Sequence, residues 1–332
     1  MNNKSSQIDS ILTPEILKGL ATLNEFMMEV ISSEVDLLKE IPTYLLTLGG
    51  KRIRPALTFL SAKLFGLNEP TLELLNVSAG IELIHMATLL HDDIIDQAPV
   101  RRGKMSAYKK YGITNTLLSG NFLFVRAFGL CAKLPPFIIQ NTEKACVELT
   151  EGEILEGIPS ISLEKSIEIA KKKTASLFRL SALSGAFVAT KNTQIAEQLG
   201  IFGECLGIAF QINDDILDVT SDIVSLGKEP GTDIRERKPS VVNALWFECG
   251  SDLSKKVFLQ NDFPIDSYCV AAALEEIKTS VVLEKAQQLG MEYVERAKEA
   301  LNVASVLSNN SINSETLLGL NNLVNFAVSR FS

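Results

Sequence analysis

The chain has few residues that interrupt regular structure: 332 residues contain 11 prolines and 20 glycines. Such scarcity excludes a fold of many short strands and turns and favours long helices. Histidine is scarcer still, with only His85 and His91, which excludes zinc and di-iron centres that need several imidazoles. The five cysteines, Cys131, Cys146, Cys205, Cys249 and Cys269, are widely spaced with no CxxC. They read as reduced, buried thiols. Basic charge is in deficit, 32 Lys and Arg against 40 Asp and Glu for a net charge of -8, so no overall basic field exists to bind nucleic acid. A small anion needs only a local basic patch and is not excluded. No apolar h-region follows Lys4, which argues against a secretory signal. The longest uncharged run, Tyr111 to Val125, is broken by Gly, Asn, Thr and Ser. It falls short of the roughly 20 apolar residues that cross a bilayer. A cytoplasmic protein with no transmembrane segment is expected.

What the chain does have is apolar content, 46%, ample for a large core. Helical periodicity dominates. Pro14 opens a helix behind Thr13 as a cap, and a second follows Pro55. A long segment from about Thr71 to Gln97 is apolar on nearly every face, which marks a central, buried helix that Pro99 ends. Further helices are expected over about 114–132, 137–157, 163–190, 194–220, 239–248, 267–290, 291–307 and Glu315 to Phe331. Ser221–Arg237 and Ser308–Ser314 read as loops. No linker divides the chain, so a single all-α domain of ten or more helices over residues 1–332 is expected.

Two segments resemble each other: Leu89–Asp96 (LLHDDIID) and Gln211–Asp218 (QINDDILD), each closing a long apolar helix. Asp92 and Asp96 are spaced i, i+4 on one helix face, with Asp93 a step round. Asp214, Asp215 and Asp218 repeat the spacing. Three carboxylates per turn among Leu and Ile require neutralisation. Clustered carboxylates without histidine are hard oxygen ligands suited to Mg²⁺. In a helical bundle two such clusters can face each other and hold metal between them. Mg²⁺ with few protein ligands keeps positions open for phosphate oxygens.

The basic residues are placed to supply the rest of an anion site. Gly49–Pro55 (GGKRIRP) puts Lys51, Arg52 and Arg54 at the opening of a helix, where backbone N–H groups point outward. Arg101-Arg102-Gly103-Lys104 follows the first aspartate cluster. Lys171-Lys172-Lys173-Thr174 precedes an apolar stretch, and Lys228 and Lys238 flank the loop behind the second cluster. Together they point to a diphosphate site.

These blocks, GGKRIRP, ELIHMATLLHDDIID, RRG, KKKTASLF, GIAFQINDDILD and GKEPGTDIRERK, occur in an order that resembles the trans-isoprenyl diphosphate synthases, the polyprenyl synthetases. They span residues 49 to 238. The resemblance implies an isoprenoid synthase-like bundle of mostly antiparallel helices around a central cavity, usually a homodimer. The implied substrates are isopentenyl diphosphate and an allylic diphosphate, with up to three Mg²⁺ ions. Asp92, Asp96 and Asp214, with Asp93, Asp215 and Asp218, would bind Mg²⁺ and through it the allylic diphosphate, which Arg101 also binds. Lys51, Arg54, His85 and Arg102 would bind isopentenyl diphosphate. Lys173, Thr174, Gln211, Lys228 and Lys238 would stabilise the allylic end and its leaving group. Ala87 and Thr88, five and four residues before Asp92, and Ile84 further up the helix would set product length. Both Ala87 and Thr88 are small, which resembles long-chain synthases, while Ile84 keeps a geranylgeranyl product open.

The pattern departs from the family in two places. Asn121 follows Gly120 where Gly-Asp is usual, and Arg237-Lys238-Pro239 replaces a Gly-Lys block, which puts the role of Lys238 in question. Glu82-Leu83-Ile84-His85 is an ExxH, but a di-iron bundle needs a second, and His91-Asp92 lacks the further ligands of a helical phosphohydrolase. A terpene cyclase or head-to-head condensing enzyme would not need GGKRIRP and RRG. A non-catalytic partner subunit would lose carboxylates or basic residues, and here all are kept. A geranylgeranyl or farnesyl diphosphate synthase remains the alternative within the family.

Overall fold

A computed structural model describes residues 12–50, 52–158, 161–221 and 229–328. Among them the chain is helical apart from one short ribbon. In order, the elements are α1 (Pro14–Val30), α2 (Asp36–Thr47), α3 (Ile53–Leu64), α4 (Leu72–Ile95), an antiparallel pair β1 (Val100–Arg101) and β2 (Lys104–Met105), α5 (Ala107–Tyr111) and α6 (Ile113–Cys131). Then follow α7 (Pro136–Glu156), α8 (Leu163–Ile169), a π-helical turn (Ala170–Ala175), α9 (Ser176–Thr190), α10 (Thr193–Thr220), α11 (Thr232–Arg235), α12 (Val241–Cys249), α13 (Asp252–Leu259), α14 (Ser267–Thr279), α15 (Val282–Leu307) and α16 (Ser314–Val328). This is the expected all-α class. Two compact units partition it. One takes the chain up to Lys144 with Leu180–Gly200 and Asn302–Leu323; the other takes Ala145–Arg179, Ile201–Leu301 and the residues from Val324 on.

In the first unit α4 is the core helix, as its all-round apolarity predicts: Val77, Leu83, Ile84, Ala87 and Leu90 are fully buried. Thr71 caps it, its side chain accepting from the Leu74 N–H at 3.2 Å. α6 packs along it closely. A Cβ at Gly80 would lie 3.0 Å from the Cys131 Sγ, and one at Gly120 would lie 2.1 Å from the His91 Nε2. Only glycine leaves room there for the imidazole, which donates to the Leu117 carbonyl at 3.3 Å and stacks 5.9 Å from the Phe124 ring. Gly80, Ile84, Ala87 and His91 are spaced four, three and four residues apart, so one stripe of α4 meets α6.

Several expectations need correction. Thr13 precedes α1, but its hydroxyl accepts from Lys63 at 3.1 Å instead of capping the helix. α2 was unforeseen: Pro42 lies inside it, where a proline usually ends a helix. The segment 163–190 is not one α-helix, because the π turn interrupts it. The break expected near residue 290 falls at Ser280–Val281 instead, where the Ser280 hydroxyl accepts from the Val282 N–H at 3.3 Å. α13 was also missed, although Ser251 caps it through the Leu253 and Ser254 N–H groups. All five cysteines are free thiols; Cys131, Cys205 and Cys269 are buried, but Cys249 is exposed.

In the second unit the π turn and α10 approach each other closely, a Cβ at Gly207 falling 2.6 Å from the Ala175 Cα. The indole N–H of Trp246 in α12 and the hydroxyl of Ser251 donate to the two carboxylate oxygens of Glu276, at 3.0 and 2.9 Å. By length and composition alone α4 and α10 could each cross a membrane, yet 72% and 67% of their apolar windows are buried within the chain, the mark of core helices.

Candidate active site

The first unit assembles a basic site around the start of α3, the end of α4 and the ribbon. Arg52 takes a left-handed conformation, φ 47°, ahead of α3. Its guanidinium pairs with Glu82, which is buried in α4. Arg54, in the first turn of α3, donates to the His85 Nε2 at 3.2 Å. Because guanidinium only donates, His85 accepts and is neutral there. Desolvation first, then the charges of Arg54, Arg102, Arg101 and Arg52, push its pKa well below the usual imidazole value. Arg102 lies flat on Gly50, where a Cβ would stand 2.8 Å from its Nη1. The second glycine of the GGKRIRP block is thus needed for close approach. Lys51 lies outside the described residues.

The aspartates at the end of α4 have distinct surroundings. Asp96 is the C-cap, and its N–H donates to the Asp92 carbonyl at 2.8 Å. Asp92 is half-buried and Asp96 exposed. Both sit at the negative end of the helix dipole, so two charges are held where the backbone itself repels them. Asp93 is buried, and Arg101 from β1 donates to its Oδ1 through Nε and Nη2, each at 2.7 Å. Its Oδ2 is buried without a hydrogen-bond partner. Desolvation raises the Asp93 pKa, while Arg101 opposes the rise. An orphaned carboxylate oxygen and carboxylates at a helix C-terminus fit a hard divalent cation. No three His, Cys, Asp or Glu side chains among the described residues converge into a cage. A cation here would therefore draw part of its shell from a ligand such as a diphosphate.

Of the product-length residues, Ile84 and Ala87 are fully buried. Thr88 is half-exposed, its hydroxyl donating to the His85 carbonyl at 2.8 Å.

The second unit assembles the other residues around the π turn and α10. Lys173 Nζ sits between Glu153 at 2.8 Å and Glu156 at 2.5 Å, both from α7. The hydroxyl of Thr174 donates to the Gln211 Oε1 at 2.7 Å, and the Gln211 Nε2 donates to the Asp215 Oδ1 at 2.9 Å. The Asp215 Oδ2 accepts from the Val241 N–H at the start of α12, at 2.8 Å. Burial raises the Asp215 pKa well above the ordinary value, with the Asp233 and Asp214 charges adding to it. The Asp218 Oδ2 accepts from the Asp233 N–H at 3.1 Å, and its carbonyl accepts from the Gly231 N–H at 2.8 Å. Asp214 is half-buried. Within the unit, the second aspartate of this cluster is thus an anchor between an amide and a helix N-terminus.

Lys238 lies outside any helix, as Pro239 dictates, and pairs with Glu236 at 2.9 Å. Its neighbour Arg237 is a brace, donating to the carbonyls of Val257, Gln260 and Phe263 at 2.7, 3.1 and 2.7 Å. Lys228 lies outside the described residues. The acidic partners Glu82, Glu153 and Glu156 were missed as site residues. Glu82 stands three residues before His85 on the same helix face, and that spacing is the one signal the sequence carries for it.

Residues 35–263 match the polyprenyl synthetase family. The chain is 32% identical over 270 residues to the geranylgeranyl diphosphate synthase of Methanosarcina mazei, covering 78% of this chain and 82% of the relative. It is 30% identical over 299 residues to the nonaprenyl diphosphate synthase of Mycobacterium tuberculosis, covering 88% and 89%. The crystal structure of a polyprenyl synthase from Caulobacter crescentus, complexed with calcium and isoprenyl diphosphate, superposes with a TM-score of 0.87 at 30% identity over 100% of both chains.

Proposed function

The chain belongs to the polyprenyl synthetase family, whose members are prenyltransferases, and on that premise we propose a Mg²⁺-dependent head-to-tail synthase whose product is longer than geranylgeranyl diphosphate. The family implies isopentenyl diphosphate and an allylic diphosphate as substrates. Arg54 and Arg102, with Lys51, bind isopentenyl diphosphate by charge, and the neutral His85 joins by hydrogen bonding. Lys173 binds the leaving diphosphate. Thr174 turns its oxygen dipole toward the allylic cation, with Gln211 behind it as the acceptor of its hydroxyl proton, and a dry wall protects the cation from water. Asp92, Asp96 and Asp214 are the residues that would hold Mg²⁺, which when bound neutralises the departing diphosphate. Head-to-tail attack by the isopentenyl double bond then extends the chain, with loss of a proton.

Relatives named for products from geranylgeranyl to nonaprenyl leave length open within the family. Small side chains at Ala87 and Thr88 carry the longer reading, because bulk beside Asp92 would close the path of the growing chain. One observation favours a geranylgeranyl product instead: Ile84 and Ala87 are fully buried. We also propose a homodimer, supported by the exposed apolar Leu118, Val125 and Phe128 on α6.

Incubation with isopentenyl and farnesyl diphosphates plus Mg²⁺, followed by sizing of the product, tests the reading. Products longer than geranylgeranyl are expected, and Ala87→Phe should shorten them. A wild-type enzyme that stops at geranylgeranyl or shorter, or an unchanged product distribution in Ala87→Phe, would refute the proposed length.

A further inference from the structure

Resting on that reading and deepening it, we propose that Asp215 is a positioning residue that fixes the polarity of the Thr174–Gln211 pair, and is not a ligand of the metal. Both Asp215 oxygens accept, so the Gln211 amide turns its NH₂ inward, 2.9 Å from Oδ1. The Gln211 Oε1 must then face Thr174, whose hydroxyl donates its one proton to it at 2.7 Å. With that proton spent, the lone pairs of Thr174 Oγ1 point away from Gln211. The other Asp215 oxygen is held by the Val241 N–H at 2.8 Å. The Asp215 residue is only 4% exposed, so water does not compete for these bonds. Donation thus converges on Asp215, from Val241 on one side and from Thr174 through Gln211 on the other. The outcome is the negative end of a hydroxyl dipole, on a π turn of the kind that often marks a functional position. An oxygen so oriented stabilises a developing cation and carries no charge with which to trap it.

The substitution Asp215→Asn keeps shape and reverses this order. The Val241 N–H still needs an acceptor, so the new amide turns its oxygen to Val241 and its NH₂ to Gln211. Gln211 must then flip, its own NH₂ donates to Thr174, and the hydroxyl proton points outward. Asp215→Asn is therefore expected to lower kcat by about 10²-fold, the scale of losing one preorganised dipole. KM for both substrates and the Mg²⁺ concentration for half-activation should stay as in wild type. Calorimetric binding of Mg²⁺ with a non-ionising allylic thiodiphosphate should also be unchanged. In a Thr174→Val background, where no hydroxyl is left to orient, Asp215→Asn should add little, while in a Thr174→Ser background, which keeps a hydroxyl, Asp215→Asn should keep its full effect. A raised Mg²⁺ requirement or weakened thiodiphosphate binding would make Asp215 a metal ligand and overturn the proposal, as would fully additive losses in the double variant. Denaturant melts of the wild type, Asp215→Asn, Thr174→Val and their double variant should show non-zero stability coupling between positions 174 and 215, and zero coupling would also overturn it. If the wild type elongates no diphosphate while the melts show coupling, the functional reading fails and the network stands.

Discussion

The two aspartate clusters share a spacing but are neutralised by different chemistry. At the end of α4 the inner aspartate, Asp93, is held by a guanidinium, with both Arg101 contacts on one oxygen and the other left without a partner. Near the end of α10 the inner aspartate, Asp215, has a neutral amide on one oxygen and a backbone N–H on the other. An identical DD pair in sequence therefore encodes an ion pair in one unit and a fully hydrogen-bonded anchor in the other. The outer residues, Asp92 and Asp214, are alike: each is half-buried and next to its anchor. Position within the pair predicts role better than membership of the motif.

The largest expected effect tests that likeness. Asp92→Ala and Asp214→Ala should each lower turnover by about 10²- to 10³-fold, the scale of roughly 3 to 4 kcal/mol of lost charge stabilisation. Steady-state rates at saturating Mg²⁺ check it, and near-normal turnover in either variant would break the symmetry of the outer pair. The next effect tests the difference between the inner pair. Arg101→Ala leaves the Asp93 charge buried and unpaired, so stability should fall by about 3 kcal/mol. Adding Asp93→Asn should recover most of the loss, as read from denaturant midpoints. No recovery would mean that Arg101 supports the ribbon by packing alone.

The smallest effect concerns the basic site. The pKa of His85 is lowered in the folded chain, so the unfolded chain binds the proton more readily. Stability is thus unaffected above the unfolded imidazole value near 6.5 and declines as pH falls from there toward the folded pKa, by at most about 1.4 kcal/mol per pH unit. His85→Gln should flatten that slope between about pH 6.5 and 5. Parallel wild-type and variant curves would show that His85 does not titrate with unfolding.

Much of this was legible in the sequence because it is local. The burial of α4, the aspartate spacing and the basic run before α3 all follow from periodicity and charge within one segment. What escaped depends on distance or on tertiary support. Nothing near Glu82 reveals that it meets Arg52, and nothing in AKKKTA distinguishes a π turn from an α turn. Pro42 in α2 reads as a breaker, and only the packing of Ile41, Pro42 and Leu45 overrides it. By contrast, Ser280 is a readable turn residue that helical periodicity across it conceals, and Ser251 is a readable cap ahead of a helix too short to show a period. The pairing of Gln211 with Thr174 joins residues from separate blocks of the resemblance, whose hydrogen-bond direction no motif carries.

The fit of His91 over Gly120 ties together two sequence positions that lie far apart in the chain. Any side chain at 120 must enter the space of the imidazole, so homologues with alanine or serine there should carry a smaller residue than histidine at 91. The two columns are expected to co-vary. Random mutagenesis should recover changes at 120 only alongside a compensating change in the residue that immediately precedes Asp92.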